Sequence, residues 1–573
     1  MGTISDKLMR IINTKEDIRQ ALISKGYDVP TSIPFKEYAK MILDLPCKVD
    51  SFPDIEGIVA RYSASGLTNE QMTANPVWVD KTGNGHDLQL KNFAWKGMSG
   101  VGGYVADIDE WGTNSTAAYF ERNSIKITAT FKENVSLGLL YHNIKLRQSC
   151  VLKVTGIPEG CDAFLDDRLG NRFYMSEDGV YEIIPSNFLA EALYFSIEKY
   201  PERWYGSKLT IEQLPLYPGA LVFDGVDDYG VCDNFPILTK EKGYTVVVLR
   251  QWITYNPNAI SAIATNASDR SFNGAFTFEN YNKGAEQTIS YGATQISLQY
   301  SKSPFSWQTT SKYNGFNIAN GNKDATNSLV LGRSYPQRNE FANFAIWELV
   351  FLDHDATEEE LTKIKDYFVK TYPWLFPDQA WTVVGKTNED EDRATIANIT
   401  GNGNDLVLSN FGFAEGSGYN EEGEYAGYLV TDGVDDKIIS SIFKMGNDWT
   451  VIGDWELINT GKNDNAGIVK FDSIVIYNYN SMLINIKNGR NILIPDQNTV
   501  NAICSDGRIY SKDWKESIYN EETESTSENF LTIGYSGNAY TKIAFKNLAI
   551  YPTVLSREDC IKAYNYLQTL KAK

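Results

Sequence analysis

The chain repeats itself, and that repeat restricts its folding more than any other feature. Leu221–Tyr229 reads LVFDGVDDY and returns as Tyr428–Lys437, YLVTDGVDDK. In both, an apolar run enters an Asp-Gly turn, two acidic residues follow, and a second strand-like run begins (Tyr229–Val231, Lys437–Ile439). Asp-Gly between apolar runs predicts a hairpin, because Gly accepts positive φ and Asp bonds its own backbone. A second pair keeps the same order: Thr82–Phe93 is TGNGHDLQLKNF and Thr400–Phe411 is TGNGNDLVLSNF. A third pair closes each copy, Leu329–Ser334 (LVLGRS) and Leu531–Ser536 (LTIGYS), each followed by an apolar run and a helix-like segment. Three ordered matches define an internal repeat.

The spacings show how the copies differ. Gly83 lies 318 positions from Gly401, whereas Asp224 lies 208 from Asp432, so copy one carries 110 extra residues between its GNG and DGVDD segments. Copy two crosses the same gap with the Gly/Glu-rich stretch Ala414–Gly427. The expected division is a segment at 1–48, a discontinuous first copy at 52–103 plus 217–375, an insertion at 104–216 and a second copy at 378–573.

Composition narrows the function classes. A chain of 573 residues suits several domains of about 100–200 residues each. Its 53 basic and 73 acidic residues give a formal charge of −20, which disfavours nucleic acid, whose binding depends on neutralising phosphates. Six cysteines (Cys47, Cys150, Cys161, Cys232, Cys504, Cys560) show neither a C-x-x-C nor a disulfide framework. Cys150 and Cys161 lie near enough in sequence to pair, but buried free thiols are the first reading. The three histidines (His86, His142, His354) supply little for His-based catalysis or metal binding. No signal peptide, spanning helix or myristoylation motif is read, so the chain is expected to work without membrane passage of its own.

Residues 1–48 stand apart. Ile4, Leu8, Ile11 and Ile12 recur at helical spacing, and Thr14–Asp17 resembles a capping box that starts a second stripe of Ile18, Ala21 and Leu22. Gly26 ends that helix, Pro34 suits the first turn of the next, and Phe35, Tyr38, Ile42 and Leu45 share a face. This segment holds eight basic and six acidic residues, so the negative charge belongs to the rest. It is too short to bury a good core alone. Packing against copies or a partner is expected, and a helical cap on the first sandwich is the alternative. The run SDKLMRIINTKEDIRQALISKGYDVP…PFKEYAKMI resembles N-terminal segments of phage tail-fibre and minor structural proteins, notably of gut-bacterial (crAss-like or related) phages. The resemblance implies attachment to other virion proteins, a homo-oligomer with a trimer as the first guess, and release from the host cytoplasm by lysis.

The remainder reads as strands. The insertion carries Ile125–Phe131, Val135–Leu140, Val151–Thr155, Arg172–Met175, Val180–Ile184, Leu193–Glu198 and Leu209–Leu214, the pattern of a small β-sandwich. Copy one continues with a long run at Tyr244–Ile253, shorter runs at Ala275–Phe278, Gln287–Tyr291 and Gln295–Tyr300, then Phe341–Leu352 and a helix at Thr357–Thr371. Copy two matches with Trp449–Ile458, Ser473–Tyr479, Ser481–Ile486, Lys542–Tyr551 and a helix from Ser556. The order LVFDGVDDYG, central strand, L-x-L/I-G, apolar strand and T/S-x-E/D helix start is similar to laminin-G-like, concanavalin-type jelly-roll domains. The resemblance implies a mainly β chain of tandem jelly-roll sandwiches, the first interrupted by another sandwich. It identifies no ligand, because such folds host lectins, glycosidases and structural modules.

Some members of that fold hold calcium on loop acids, which for this chain points to Asp227, Asp228, Asp435 and Asp436. Turn chemistry is the simpler reading of paired Asp residues. Glu421, Glu422 and Asp464, flanked by Asn463 and Asn465, are further loop groups without ligand-like spacing. Glycosidases need two facing carboxylates, commonly E-x-D-x-x-E on one strand of concanavalin-type enzymes; no such run occurs, and Glu389–Asp392 reads as a solvated cluster. Gly534–Asn538 fails as a nucleophile elbow, and Gly100–Gly103 lacks the setting of a phosphate loop. A non-catalytic chain is therefore expected. The 34 Tyr and 12 Trp suit sugar stacking and protein interfaces alike. Trp95, Trp111, Trp204 and Tyr205, near the insertion's borders, are the glycan-binding candidates, with core packing as their plainer reading.

The combined reading is a virion fibre or adhesin that binds bacterial surface glycan or protein. A ligand-free decoration protein of the capsid or tail, a surface-polysaccharide depolymerase and a lectin on the bacterial surface are the rivals.

Overall fold

A computed structural model divides the chain into two compact units, Met1–Asp54 and Ile55–Lys573. It describes Lys15 and residues 52–573, except 106–107, 109–111, 114–117, 133–137, 145–149, 167–171, 184–192, 199, 239–242, 255–260, 266–275, 282–284, 291–298, 302–316, 322–326, 334–339, 424, 442, 445, 459–466, 472–473, 479–481, 487–489, 495–499, 512–513, 515, 519–527, 530, 537–538, 571 and 573. In the first unit Lys15 is helical; the helices read at 1–48 otherwise lie outside the described residues, as do Cys47, Trp111 and Asn463–Asn465.

The second unit is mainly β. In copy one a six-stranded sheet runs in the order Asn317–Gly321, Tyr244–Thr254, Asn343–Leu352, Leu221–Asp224, Gly100–Val101, with Ile58–Ser63 also on Asn343–Leu352. Nine of the ten residues of Asn343–Leu352 are buried, as expected of a strand paired on both edges. An eight-stranded sheet faces it, ordered Val77–Trp78, Leu88–Lys91, Tyr229–Cys232, Leu329–Leu331, Ser261–Thr265, Phe276–Tyr281, Ala285–Ser290, Gln299–Ser301. Side chains from both sheets, among them Tyr62, Trp78, Phe223, Val246, Leu331 and Phe351, close one core.

Copy two repeats this order and extends its first sheet beyond Val500–Cys504 by Arg508–Ser511 and Glu516–Ile518. Gly418–Tyr419, Leu429–Val430, Ile543–Tyr551, Thr450–Leu457 and Val500–Cys504 take the places of Gly100–Val101, Leu221–Asp224, Asn343–Leu352, Tyr244–Thr254 and Asn317–Gly321. Gln379–Thr382 pairs with Ile543–Tyr551 as Ile58–Ser63 pairs with Asn343–Leu352. Its other sheet runs Thr395–Ile396, Leu406–Ser409, Lys437–Ser440, Thr532–Ile533, Gly467–Phe471 and onward, in the order of copy one.

Residues between the two parts of copy one form two five-stranded sheets of their own over a core that includes Ile127, Leu152, Leu165, Trp204 and Ile211. Ten strands are described there against seven expected. The unexpected three are Gly112–Thr113, Ala118–Arg122 and Asp162–Asp166; charged or small residues break their apolar pattern, and only cross-strand pairing reveals them.

The hairpin expected at DGVDD is corrected. Leu221–Asp224 pairs with Asn343–Leu352 and Gly100–Val101, whereas Tyr229–Cys232 pairs with Leu88–Lys91 and Leu329–Leu331 in the opposite sheet. The same division holds around Asp432–Asp436. The turn is a corner carrying the chain from one layer to the other. Local turn chemistry is common to hairpins and corners; the difference lies in which distant strands are available for pairing.

A helix closes each copy. Glu358–Thr371 begins with a reciprocal capping box, Thr357 accepting from the Glu360 amide and Glu360 returning to the Thr357 amide, and buries Ile364, Tyr367 and Phe368. Arg557–Leu567 starts at Ser556, whose hydroxyl accepts from the Asp559 amide. Among the described residues no helix is long and apolar enough to cross a membrane.

Candidate functional site

The repeated corner is the natural starting point, since four of the sequence candidates lie in it. Asp224 Oδ1 accepts from the Val226 amide at 2.8 Å, and Asp228 Oδ2 accepts from the Asp224 amide at 3.0 Å. Asp432 and Asp436 repeat both bonds, each at 2.7 Å. Gly225 and Gly433 share φ +76, which the corner requires and a side chain would strain. Asp228 and Asp436 are fully buried. Burial pushes Asp228 up to about 7, aided by the nearby Asp224 and Asp227 charges and opposed by hydrogen bonds from the Asp224 amide and the Ser99 hydroxyl. Asp436 is pushed up to about 6 by the same burial, with the Ser417 hydroxyl opposing.

Carboxylate oxygens of Asp224, Asp227 and Asp228 lie within 4.8 Å of one another, as do those of Asp432, Asp435 and Asp436. Calcium takes six to eight oxygens. Asp228 and Asp436 spend Oδ2 on turn amides, which closes the corner, and each trio offers three carboxylates close enough to share one cation. Asp227 and Asp435 are the exposed members.

Next to the corner lies a cleft. Asn410 donates from Nδ2 to the Asp435 carbonyl at 3.0 Å, and the chain then runs through Phe411, Phe413 and Ser417 to Gly418–Tyr419. Asn388 clamps that strand end at both polar atoms, accepting from the Tyr419 amide and donating to its carbonyl, each at 2.8 Å. Gly418 sits at φ +156, and a Cβ there would come within 2.5 Å of Asn388 Oδ1, so glycine is what permits the clamp. Asn69, Gly100 and Val101 repeat the arrangement in copy one.

In copy two these parts line a cleft of about 550 Å³, walled by Asn388, Glu389, Phe413, Glu415, Tyr419 and Asn420 and by the loop Glu421–Gly423. Glu389, Glu415, Glu421 and Glu422 are exposed in it. Tyr419 and Phe413 stack with ring centroids 6.4 Å apart, and the Arg393 guanidinium lies 5.0 Å from the Phe413 ring. The Tyr419 hydroxyl donates to the Arg393 carbonyl at 2.7 Å. Burial holds its phenol above the ordinary range. The wall is therefore fixed, and the rim offers four carboxylates as acceptors for a ligand's hydroxyl or ammonium donors.

The aromatic candidates separate by burial. Trp204 is wholly buried and packs edge-on against Phe131 at 5.0 Å, which corrects it as a sugar platform: its faces belong to the insertion's core. Tyr205 is 55% exposed on the following turn. Trp95 is half-buried, stacked on Phe93 at 4.7 Å. It stands, like Phe413, at a non-glycine residue with positive φ (55° and 49°) before the clamped strand, so it marks the copy-one equivalent of the cleft wall. Of the cleft, the sequence reading singled out Glu421 and Glu422 as loop acids and Glu389 within a charged run, but missed Phe413, Glu415, Tyr419 and Asn420. The sequence already matches Ser65–Glu70 with Val384–Glu389; setting NFAW against NFGF beside that match finds the wall.

No protein-family model matches the chain. None of the curated proteins matches it either. Among solved structures, it is similar to a Trypanosoma rangeli sialidase in complex with sialic acid (8% identity, 80% of this chain and 84% of that one, TM-score 0.24). It is also similar to the binding domain of botulinum neurotoxin serotype D (11%, 59% and 88%, TM-score 0.21) and to an arabinofuranosidase complexed with arabinofuranosyl-alpha-1,2-xylobiose (9%, 77% and 80%, TM-score 0.23). At these scores the matches assign the chain neither a family nor a ligand. They do correct one expectation. The chain was read as non-catalytic from a missing carboxylate run and scarce histidine, yet two of these three similar structures are named as a sialidase and an arabinofuranosidase. Catalytic carboxylates have to meet in space and not in one stretch of sequence, so the missing run does not support the exclusion, and it is withdrawn.

Proposed function

We propose that the chain is a receptor-binding protein whose second jelly roll takes bacterial surface glycan in the cleft between Glu389, Phe413, Tyr419 and Glu421–Gly423. The observation that carries this is the half-buried Phe413, backed by the core residue Tyr419 that Asn388 clamps, in a cleft with four exposed carboxylates. Such acceptors suit neutral hydroxyls and amino groups, and they repel anionic sugars. The resemblance of residues 1–48 to phage structural proteins supports placing the chain on a virion as a fibre or adhesin, attached through that segment. The domain division at 1–48, 52–103 plus 217–375, 104–216 and 378–573 belongs to the same proposal.

The test is a glycan array probed with the full chain, with release of reducing ends measured in parallel. Neutral or amino-bearing glycans are expected to bind, and the Glu421→Gln/Glu422→Gln chain is expected to bind them at least tenfold more weakly. Absence of glycan binding, or binding that the double variant leaves unchanged, would overturn the assignment.

A further inference from the structure

Two cysteines distant in sequence meet in copy two. Cys504 ends the strand Val500–Cys504, directly across from Thr450 in the neighbouring strand. The Thr450 hydroxyl lies 3.7 Å from Cys504 Sγ and accepts the Leu555 amide at 2.9 Å, which pins the start of the last helix against this strand. Cys560 sits on that helix's first turn, its amide bonded to the Ser556 carbonyl at 2.8 Å. Both thiols are buried and free, and each is the largest influence on the other's ionisation. The pair is peculiar to copy two: the strand residue across from Thr245 is Asn320, and the residue four beyond the Thr357 cap is Leu361.

We propose that Cys504 and Cys560 are an oxidative cross-linking site, closed to a disulfide by hydrogen peroxide. The inference is independent of the proposed function. Peroxide is water-sized, as a buried site requires, and a cavity of about 330 Å³ lined by Leu555, Ser556 and Asp559 opens beside the helix start that carries Cys560. The Cys504 thiolate attacks one peroxide oxygen. The O–O bond breaks, the sulfur becomes a sulfenic acid, and hydroxide leaves as water with the proton Cys504 gave up. The Cys560 sulfur then attacks the sulfenic sulfur. The S–O bond breaks, and the hydroxyl leaves as a second water with the Cys560 proton. Two thiols are oxidised and one peroxide is reduced to two waters. Cys504 is the nucleophile because its contact with Cys560 and the Arg508 charge favour its thiolate, while the same contact and burial push Cys560 up. The bond would fasten the last helix to its sheet. That helix end also contacts copy one, with Tyr566 edge-on to Trp347 at 6.0 Å and Thr569 Oγ1 accepting from Gln251 at 3.2 Å.

The experiment treats the reduced full chain with a small excess of hydrogen peroxide, alkylates the remaining thiols and maps peptides without reduction. The expected result is loss of two of the six titratable thiols, a peptide linking Cys504 to Cys560, and a higher unfolding temperature that dithiothreitol reverses. In the Cys560→Ser chain the linked peptide should disappear while Cys504 becomes reactive toward a sulfenic-acid probe. Six free thiols after treatment, a link between other cysteines, or oxidation of the wild type straight to sulfinic acid at Cys504 would each overturn the proposal.

Discussion

Asp228 and Asp436 show how a residue written in a surface-looking motif can be an interior one. Each spends Oδ2 on the amide four residues earlier, and burial favours its neutral form. The consequence for pH follows from linkage. The unfolded carboxyl ionises near pH 4 and the folded Asp228 near 7, so this group stabilises the fold fully at low pH. Its contribution is lost as pH rises from about 4 to 7. Asp228→Asn removes that loss. Relative to wild type, the variant should gain on the order of 3 kcal/mol between pH 4 and pH 8, read from urea unfolding at both pH values. An equal effect at both would show that Asp228 does not titrate with folding. The motif DGVDD was legible, as was its turn chemistry. Which Asp turns inward was not, because burial is set by Ser99 and the opposing strands, far away in sequence.

At the scale of elements, the long apolar strands and both closing helices were found close to their ends, because period and caps are local properties. Tyr244–Thr254, Asn343–Leu352 and Ile543–Tyr551 differ from the readings by a few residues. Short strands such as Asp162–Asp166 escaped, being held by their neighbours' registers. The helix Glu358–Thr371 is also tied by charge in the interior. Arg61 and Glu348 pair at 3.2 Å with both side chains almost fully buried, and Tyr367, Tyr372 and Ser63 complete the network. Copy two holds Ala380 and Asn547 at the equivalent places, judged by strand register. Removing one partner leaves a buried charge uncompensated, so Arg61→Met should cost about 3–5 kcal/mol. Replacing both, Arg61→Ala with Glu348→Asn as in copy two, should cost less than the single change. Chemical denaturation of the three chains measures it, and a double variant as damaged as the sum of its parts would refute the coupling.

For the whole molecule, the repeat and its 110-residue offset were available from the letters alone, and the strands the two copies share run in the same order. Residues 1–54 form a compact unit of their own, separate from Ile55–Lys573. If residues 1–48 are the attachment segment, their deletion should leave the thermal unfolding and glycan binding of the remainder within error, and should abolish incorporation into particles. Normal incorporation of the truncated chain would overturn that role. The sequence by itself determined the mainly β class, the duplication and the helix caps, since each depends on period, composition or contacts a few residues apart. Tertiary structure alone decided that DGVDD is a corner between layers and not a hairpin, that Trp204 is core, that Phe413 and Tyr419 meet the Glu421–Gly423 loop in one cleft, and that Cys504 finds Cys560. Each of these is a pairing between distant segments, and the residue types at one end carry no information about the partner at the other.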